Sequence, residues 1–248
     1  MAIKPILMRD WEVRAILDGR KSQTRREITL RRYRGFSEFG PSDTVGYDWH
    51  LRDSSKRWHD LRHAELLRLL PYSEGDLLWC REAWNLFNFS RDGECAWPTG
   101  RIPTAEEWRL DTQLDANRFT EIRYREATGM ELEGQPWRSP MNMPKWASRI
   151  TLRVTDVRIE RLQDINGDAL REEGLDIPPG PPLSPRETEY WKPTFADLWN
   201  SLHGPNAWGK NPWVAAITFE AIQKNVAEAL DEIDRAKARE TLKGVDDE

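Results

Sequence analysis

The sequence has few of the residues that build disulfide-linked or metal-binding proteins. It contains two cysteines in 248 residues, Cys80 and Cys95, and their spacing fits neither a metal site nor a redox motif. Among its four histidines, His59 and His63 have a metal-compatible spacing, but no third ligand and no HExxH motif accompanies them. We therefore expect buried or incidental thiols, no bound metal and no other cofactor.

Long hydrophobic runs and an excess of positive charge are also missing. No stretch of roughly 18 apolar residues occurs, so no helix is predicted to span a membrane. The net charge is −5, which argues against a protein that coats nucleic acid through bulk electrostatics. The N-terminus, Met-Ala-Ile-Lys-Pro, lacks the charged and then apolar pattern of a secretion signal, and a cytoplasmic location is expected.

Common nucleotide-binding and hydrolase loops are absent as well. Neither GxGxxG nor GxSxG occurs. Residues 204–211, Gly-Pro-Asn-Ala-Trp-Gly-Lys-Asn, approach the P-loop pattern, but Asn211 replaces the Ser or Thr that holds magnesium. The segment also follows a predicted helix and precedes a predicted strand, which reverses the order of a P-loop. We interpret it as a structural loop.

Helical and strand patterns alternate along the chain, and together they predict an α+β fold. An amphipathic helix follows Asp10 and stops at Gly19, and a bent strand over 150–159 is of a kind that suits a small barrel. Irregular sequence dominates residues 31–74 and 88–140, which are predicted insertions. The remaining predicted elements are strands over 1–8, 77–84 and 214–222, a short helix ending at Gly174, a proline-rich loop over 177–186, and helices over 56–70, 194–203 and 224–242.

Residues 18–26, Asp-Gly-Arg-Lys-Ser-Gln-Thr-Arg-Arg, concentrate the groups from which chemistry could be built. They combine one lysine, two hydroxyls and three arginines directly after a helix end. The segment by itself is compatible with a phosphate grip, with a solvated turn or with an activated lysine. Thirteen tryptophans exceed the needs of the core, so some are candidates for stacking on flat ligands such as nucleobases.

Four segments form a recognisable set of motifs: residues 17–26 (LDGRKSQTRR), 75–84 (GDLLWCREAW), 143–150 (MPKWASRI) and 162–175 (LQDINGDALREEGL). Together they resemble the ASCH-domain proteins of the PUA-like superfamily, in the larger form that is common in phages and prophages. The likeness spans residues 1–222 with gaps. Asn142 stands where related sequences often have a histidine, so a role for that imidazole does not carry over.

The resemblance implies a small PUA-like β-barrel with flanking helices. The domain would cover residues 1–222, with long loop insertions at about 31–74 and 88–140, and a C-terminal helical tail would follow over 223–248. Some small bacterial members of the superfamily are amidohydrolases that remove the acetyl group from N4-acetylcytidine and related acylated cytidines. The implied partner is therefore a small modified nucleoside, with RNA as a second partner and no membrane.

The catalytic groups of those enzymes correspond by position to Lys21, Thr24 and Glu173. Thr24 would supply the nucleophilic hydroxyl, and Lys21 would accept its proton without help from a metal. The neighbouring arginines raise the local positive potential, which favours a neutral amine. Glu173 falls at the end of a short helix, where the helix dipole favours a protonated carboxyl that can protonate the departing amine.

Five further residues are candidates to bind the substrate. Arg26 could bind the oxyanion or the base carbonyl, and Glu82 could accept a hydrogen bond from an amine. Trp84 and Trp146 could stack on the ring, and Arg149 is the fifth candidate to bind the substrate. Each has a structural alternative, because Glu82 could pair with Arg26 or Arg149 and both tryptophans could belong to the core.

Two other functions fit the same segments. One is a non-catalytic PUA-like module that recognises RNA or a modified base, and the other is a nuclease acting on single-stranded RNA. The binding alternative predicts a salt-dependent affinity for oligonucleotides, which charge reversal at Arg31, Arg32 and Arg34 would reduce.

Overall fold

In a computed structural model, the described residues are 1–33, 35–90, 96–98, 102–111, 118–127 and 136–243. They form a mixed structure with six α-helices and several β-sheets, which confirms the predicted α+β class. Within these ranges no helix has the length and apolar character needed to cross a lipid bilayer.

Helices and strands alternate in an irregular order along the chain. The strands are β1 (Ile3–Leu7), β2 (Gln23–Glu27), β3 (Glu38–Pro41), β4 (Trp49–Arg52), β5 (Trp58–Leu61), β6 (Leu77–Arg81), β7 (Trp84–Ser90), β8 (Ala96–Pro98), β9 (Arg118–Tyr124), β10 (Thr151–Arg161) and β11 (Trp213–Ile222). The helices are α1 (Asp10–Leu17), α2 (His63–Leu69), α3 (Ala105–Asp111), α4 (Gly167–Glu172), α5 (Pro185–His203) and α6 (Val226–Lys243).

The chain divides into two compact units, each assembled from separate stretches of sequence. The first unit comprises Met1–Ala2, Asp18–Asp76 and Arg153–Glu220. The second comprises Ile3–Leu17, Leu77–Leu152 and Ala221–Glu248. The predicted catalytic residues all fall in the first unit.

The first unit positions β2 through strand pairing. β2 pairs with β11 in an antiparallel register that sets Gln23 opposite Thr218 and Glu27 opposite Val214, and β10 flanks β11 on its other side. A separate antiparallel sheet has the order β3-β4-β5. Helix α4 packs against β2 and against α5, over a core that includes Leu170. This packing brings the end of α4 beside β2.

Both ends of α4 are fixed by local interactions. The Asn166 side chain accepts a hydrogen bond from the Ala169 backbone N–H at 2.9 Å, which satisfies one of the free donors at the helix start. The helix stops at Gly174, whose φ of 89° is the left-handed conformation that glycine adopts without strain. Glu173 lies between the last helical residue and this glycine, so its backbone position is fixed by the helix end.

The second unit contains a parallel pair and an antiparallel sheet. β1 runs parallel to β6, with Ile3 opposite Leu77 and Leu7 opposite Arg81. β7 lies between β8 and β9, and Trp84 is opposite Tyr124. Helix α6 packs on β6 through a hydrophobic cluster made by Leu77, Trp79, Val226, Leu230 and Ile233. The predicted C-terminal helix is therefore present and packed.

Two predicted elements were wrong in extent. Residues 31–74 contain the β3-β4-β5 sheet and the short helix α2, where irregular sequence and a helix over 56–70 were predicted. The strands of that sheet are only four residues each, too short for an alternating pattern to stand out. His59 consequently lies in β5, where its Nε2 is 2.9 Å from Asp53 Oδ2, and not on a helix with His63.

Helix α5 begins well before the predicted start at 194, inside the predicted proline-rich loop. Ser184 and Glu187 form a capping box, in which the Glu187 carboxylate accepts from the Ser184 backbone N–H at 2.8 Å. Pro193 lies inside the helix, where a helix end is usually expected. The capping pattern Ser-x-x-Glu was visible in the sequence and outweighs the proline.

Candidate active site

Lys21 and Glu173 form a buried hydrogen-bonded ion pair. The Lys21 Nζ donates to Glu173 Oε2 at 2.8 Å and to the Glu173 carbonyl oxygen at 2.8 Å. The side chains are 0% and 5% exposed, respectively. Two of the three predicted catalytic residues thus meet, although 152 positions separate them in the chain.

Arg25 and Glu160 extend this pair into a cluster of four charges. Arg25 Nη1 donates to Glu173 Oε1 at 3.0 Å, and Arg25 Nε donates to Glu160 Oε1 at 2.9 Å. The cluster therefore has two cations and two carboxylates, so the positive potential predicted around Lys21 is offset by negative charge. In the described ranges, no three side chains of His, Cys, Asp and Glu are grouped to hold a metal ion.

The backbone explains why the pair forms. The Ser22 N–H donates to the Glu172 carbonyl at 2.9 Å, and Lys21 and Glu173 form an isolated antiparallel bridge. The chain entering β2 is thereby joined to the end of α4. The adjacent Glu172 turns to a different partner, since its Oε2 accepts from Gln23 Nε2 at 3.0 Å. Partial burial raises the pKa of the Glu172 carboxyl, while Arg158 acts in the opposite direction.

Thr24 lies on the opposite face of β2. Successive side chains of a strand point to opposite faces, so Thr24 and Arg26 share one face while Gln23 and Arg25 share the other. Arg25 contacts Glu173, and Lys21 contacts the same carboxylate, so the ion pair belongs to the Arg25 face. The Thr24 residue is 1% exposed. The structure therefore brings Lys21 to Glu173 but sets Thr24 on the far side of the strand.

A cavity of about 320 Å³ opens on the Thr24 and Arg26 face. In the β2–β11 register, Thr24 is opposite Ile217 and Arg26 is opposite Ala215, and directly opposed residues point to the same face. The cavity is lined by Arg26, Tyr72, Ile28, Leu70, Ala215 and Ile217, among other residues. Its volume lies at the lower end of the range for ligand pockets, about 300–1,000 Å³.

Tyr72 lines this cavity together with Arg26. Burial raises the pKa of the Tyr72 phenol above its usual value, and the charge of Arg26 only partly opposes that effect. The phenol therefore stays protonated at neutral pH and can donate a hydrogen bond. The sequence analysis did not single out Tyr72, because nothing in the sequence shows that it meets Arg26.

The other predicted binding residues form a separate cluster in the second unit. Arg149 donates to both carboxylate oxygens of Glu82, at 2.9 and 2.8 Å, and its guanidinium lies 4.2 Å from the centre of the Tyr124 ring. Arg149 Nη2 also donates to Glu126 at 3.2 Å. Glu82 is 1% exposed, so this arrangement is the structural pairing that the sequence analysis considered as an alternative.

The two predicted stacking residues are packed against other aromatic rings. Trp84 is 0% exposed and meets Trp146 edge to face at 6.3 Å, whereas Trp146 is half-buried and stacks on Trp108 at 5.1 Å. A base could therefore reach Trp84 only after repacking of this cluster, while Trp146 keeps part of its surface exposed.

Comparison with protein-family models, with curated proteins and with solved structures gives no match to this chain.

The first prediction compares the free energies of unfolding of two variants, Glu173→Gln and Lys21→Met. Glu173→Gln removes the carboxylate that Lys21 and Arg25 share, and breaking a buried ion pair in this way costs about 3–5 kcal/mol. Lys21→Met leaves Glu173 paired with Arg25, so we expect a smaller loss. Urea unfolding at pH 7 measures both. Equal losses, or a larger loss for Lys21→Met, would show that Arg25 does not hold the carboxylate.

The second prediction concerns pH and Glu82. Burial raises the pKa of the Glu82 carboxyl above its usual value of 4.5, although Arg149 opposes the shift. A carboxyl with a raised pKa in the folded state contributes stability below its unfolded pKa, and that contribution is lost as pH rises through the folded pKa. The free energy of unfolding of the wild type, relative to Glu82→Gln, should therefore fall as pH rises from about 4 to 7. Denaturant unfolding across this range tests it, and a difference that grows with pH contradicts it.

Proposed function

We propose that this chain is an amidohydrolase that removes the acyl group from N4-acetylcytidine and related N4-acylated cytosine nucleosides. The observation that carries the proposal is the buried hydrogen bond between Lys21 and Glu173, at 2.8 Å. Because this bond joins an amine to a carboxyl, a proton can pass between them. The same pair can then act as a base in one step and as an acid in the next.

We also propose that the fold is that of an ASCH-domain protein, with β2, β10 and β11 as part of a small PUA-like barrel. The support is the order of the four motifs along the chain, together with the meeting of the GRKxxT segment and the end of α4. Residues 1–222 would form this domain, and the helical tail would follow.

The acyl-transfer step in this proposal begins with movement of a proton from Lys21 Nζ to Glu173 Oε2. The neutral amine accepts the proton of the Thr24 hydroxyl, whose oxygen attacks the acyl carbon and forms a C–O bond. The C–N4 bond then breaks, and the departing nitrogen takes the proton of the Glu173 carboxyl. The products are the free cytosine amine, an ester on Thr24 and the ion pair of Lys21 and Glu173.

The second step regenerates the site. Water attacks the ester carbon and gives a proton to the Glu173 carboxylate, while the Thr24 oxygen leaves with a proton from the Lys21 ammonium. The acid product is released, and the proton of the Glu173 carboxyl passes to the Lys21 amine, which restores the starting ion pair. Every proton in the cycle is therefore exchanged between Lys21, Glu173 and the reactants.

The geometry of β2 limits how Thr24 can act as the nucleophile. Thr24 and the ion pair project from opposite faces of β2, so direct proton transfer from Thr24 to Lys21 requires one side chain to move around the strand. In a second route, water activated by the Lys21–Glu173 pair attacks the acyl carbon, which requires the acyl group to extend to the Arg25 face of β2. Substitution of Thr24 separates the two routes.

Arg26 is the proposed partner of the cytosine carbonyl, because its side chain lines the cavity on the Thr24 face. A guanidinium is a permanent donor and can hold a carbonyl oxygen or an oxyanion. In the second unit, Glu82 is paired with Arg149, and Trp84 is buried against Trp146. We assign no step to Glu82, Arg149 or Trp84.

The third prediction is that the purified protein converts N4-acetylcytidine to cytidine, followed by its ultraviolet absorbance. Lys21→Met should lower kcat/KM by at least about 100-fold, because it removes a proton-transferring group. Lys210→Met is the matched control, since Lys210 is an exposed lysine of the first unit. Thr24→Ala should abolish turnover and Thr24→Ser should retain part of it.

Three results would contradict parts of this proposal. No turnover by the folded wild type between about pH 6 and 9, where a matched acid and base should both act, rejects the amidohydrolase. Full activity in Thr24→Ala assigns the attack to water. Equal losses in the Lys21 and Lys210 variants reject the role of Lys21.

A further inference from the structure

A second cavity adjoins the first and extends it. It has a volume of about 550 Å³ and shares Ile28, Thr29 and Pro71 with the cavity that contains Arg26. All of its lining residues belong to the first unit. The two cavities therefore lie next to each other, with Arg26 and Tyr72 in the first and Arg31 in the second. We refer to them together as the recess and to each cavity as one of its parts.

The first part suits a flat ring with hydrogen-bond acceptors. Arg26 and the protonated Tyr72 hydroxyl are two donors among walls that are mostly apolar, including Ile28, Leu70 and Ile217. A pyrimidine has apolar faces and carries carbonyl and ring-nitrogen acceptors at its edge. The ring faces would pack on the apolar walls while the edge accepts from Arg26 and Tyr72.

Arg31 is an exposed residue that lines the second part of the recess. Its backbone N–H donates to the Leu69 carbonyl at 3.0 Å, and its Nη2 donates to the Pro71 carbonyl at 2.8 Å. A guanidinium has five N–H donors, so one bond to Pro71 leaves others for a ligand. A positioned arginine that keeps free donors is well suited to phosphate.

The aromatic side chains of the second part can pack against the sugar that joins a pyrimidine ring to a phosphate. Tyr33 and Phe36 both line it. Tyr33 is held in place by Arg32, whose guanidinium lies 5.6 Å from the ring centre, and by His59 at 4.7 Å. An aromatic surface next to a cation is a common setting for a sugar or a base attached to a phosphate.

We infer that this recess binds a pyrimidine nucleoside monophosphate, with the ring between Arg26 and Tyr72 and the phosphate at Arg31. The inference rests on the proposed function only for the choice of cytosine as the ring. Glu27 also lines the first part, so its negative charge partly offsets Arg26. Because the two charges partly cancel, the recess favours a ligand with a single phosphate over a polymer with many.

The fourth prediction is tested by calorimetric titration of the full chain with cytidine, cytidine monophosphate, inorganic phosphate and a cytidine trinucleotide. We expect the monophosphate to bind about tenfold more tightly than cytidine, as charge-assisted hydrogen bonds to phosphate imply. Arg31→Gln should remove this gain and leave cytidine binding unchanged. Tyr72→Phe should weaken both ligands several-fold, since it removes one donor to the ring.

Arg68→Gln is the matched control, because Arg68 is an exposed arginine of α2 that lines neither cavity and carries the same charge. The inference is overturned by equal affinities for cytidine and its monophosphate, or by equal effects of the Arg31 and Arg68 variants. Inorganic phosphate that binds as tightly as the monophosphate would show a simple anion site. A trinucleotide that binds far more tightly, with steep salt dependence, would show a strand-binding groove instead.

The titration also separates this inference from the proposed function. None of its ligands has an acyl group, so binding is measured whether or not the protein hydrolyses amides. Monophosphate binding that depends on Arg31, in a protein without amidohydrolase activity, would reject the proposed function alone. Hydrolysis of N4-acetylcytidine without any gain from a phosphate would reject the inference alone.

Discussion

The Glu173 carboxylate is shared between two cations, and much of the first unit is arranged around that contact. Its Oε2 accepts from Lys21 and its Oε1 accepts from Arg25, while Arg25 also reaches Glu160 on β10. The end of α4, the strand β2 and the strand β10 are thus joined by four charges that sum to zero. Each side chain except Glu160 is almost fully removed from water, so loss of the Glu173 carboxylate would deprive two buried cations of the partner that they share. This contact holds the Lys21 amine against a carboxyl with which it can exchange a proton.

The contact between Lys21 and Glu173 was predicted from the sequence. The face of β2 from which Thr24 projects was not predicted, although the strand pattern allows it. A strand over 23–27 already implies that Thr24 alternates with Gln23 and Arg25. Nothing in the sequence indicated that Glu160 would also lie beside Arg25, because that carboxylate comes from a distant segment. Tyr72 was missed, and Arg31 was considered only for binding of oligonucleotides, because a cavity depends on which loops meet in space. Glu82 and Arg149, in contrast, form the pairing that the sequence analysis had considered.

Local signals explain most of the fold and its two main surprises. The helix over Asp10–Leu17, the stop at Gly174 and the strand over Trp213–Ile222 all follow from periodicity, glycine and proline in the expected places. The sheet of β3, β4 and β5 escaped prediction because its strands are short and held by pairing with one another. Helix α5 was underestimated because a proline was given more weight than the capping box at Ser184. Pairing between strands stabilises the first element and the capping box stabilises the second. Each offsets a weak local preference for strand or helix.

The central claim is that Lys21 and Glu173 act as one proton-transferring unit. The most direct measurement compares kcat/KM for N4-acetylcytidine in Lys21→Met, in Glu173→Gln and in the double variant, each checked for folding by its thermal transition. Groups that act as a unit have strongly non-additive effects, so the double variant should be about as slow as the slower single variant. Losses that multiply in the double variant would mean that the two residues act independently, and would contradict the account.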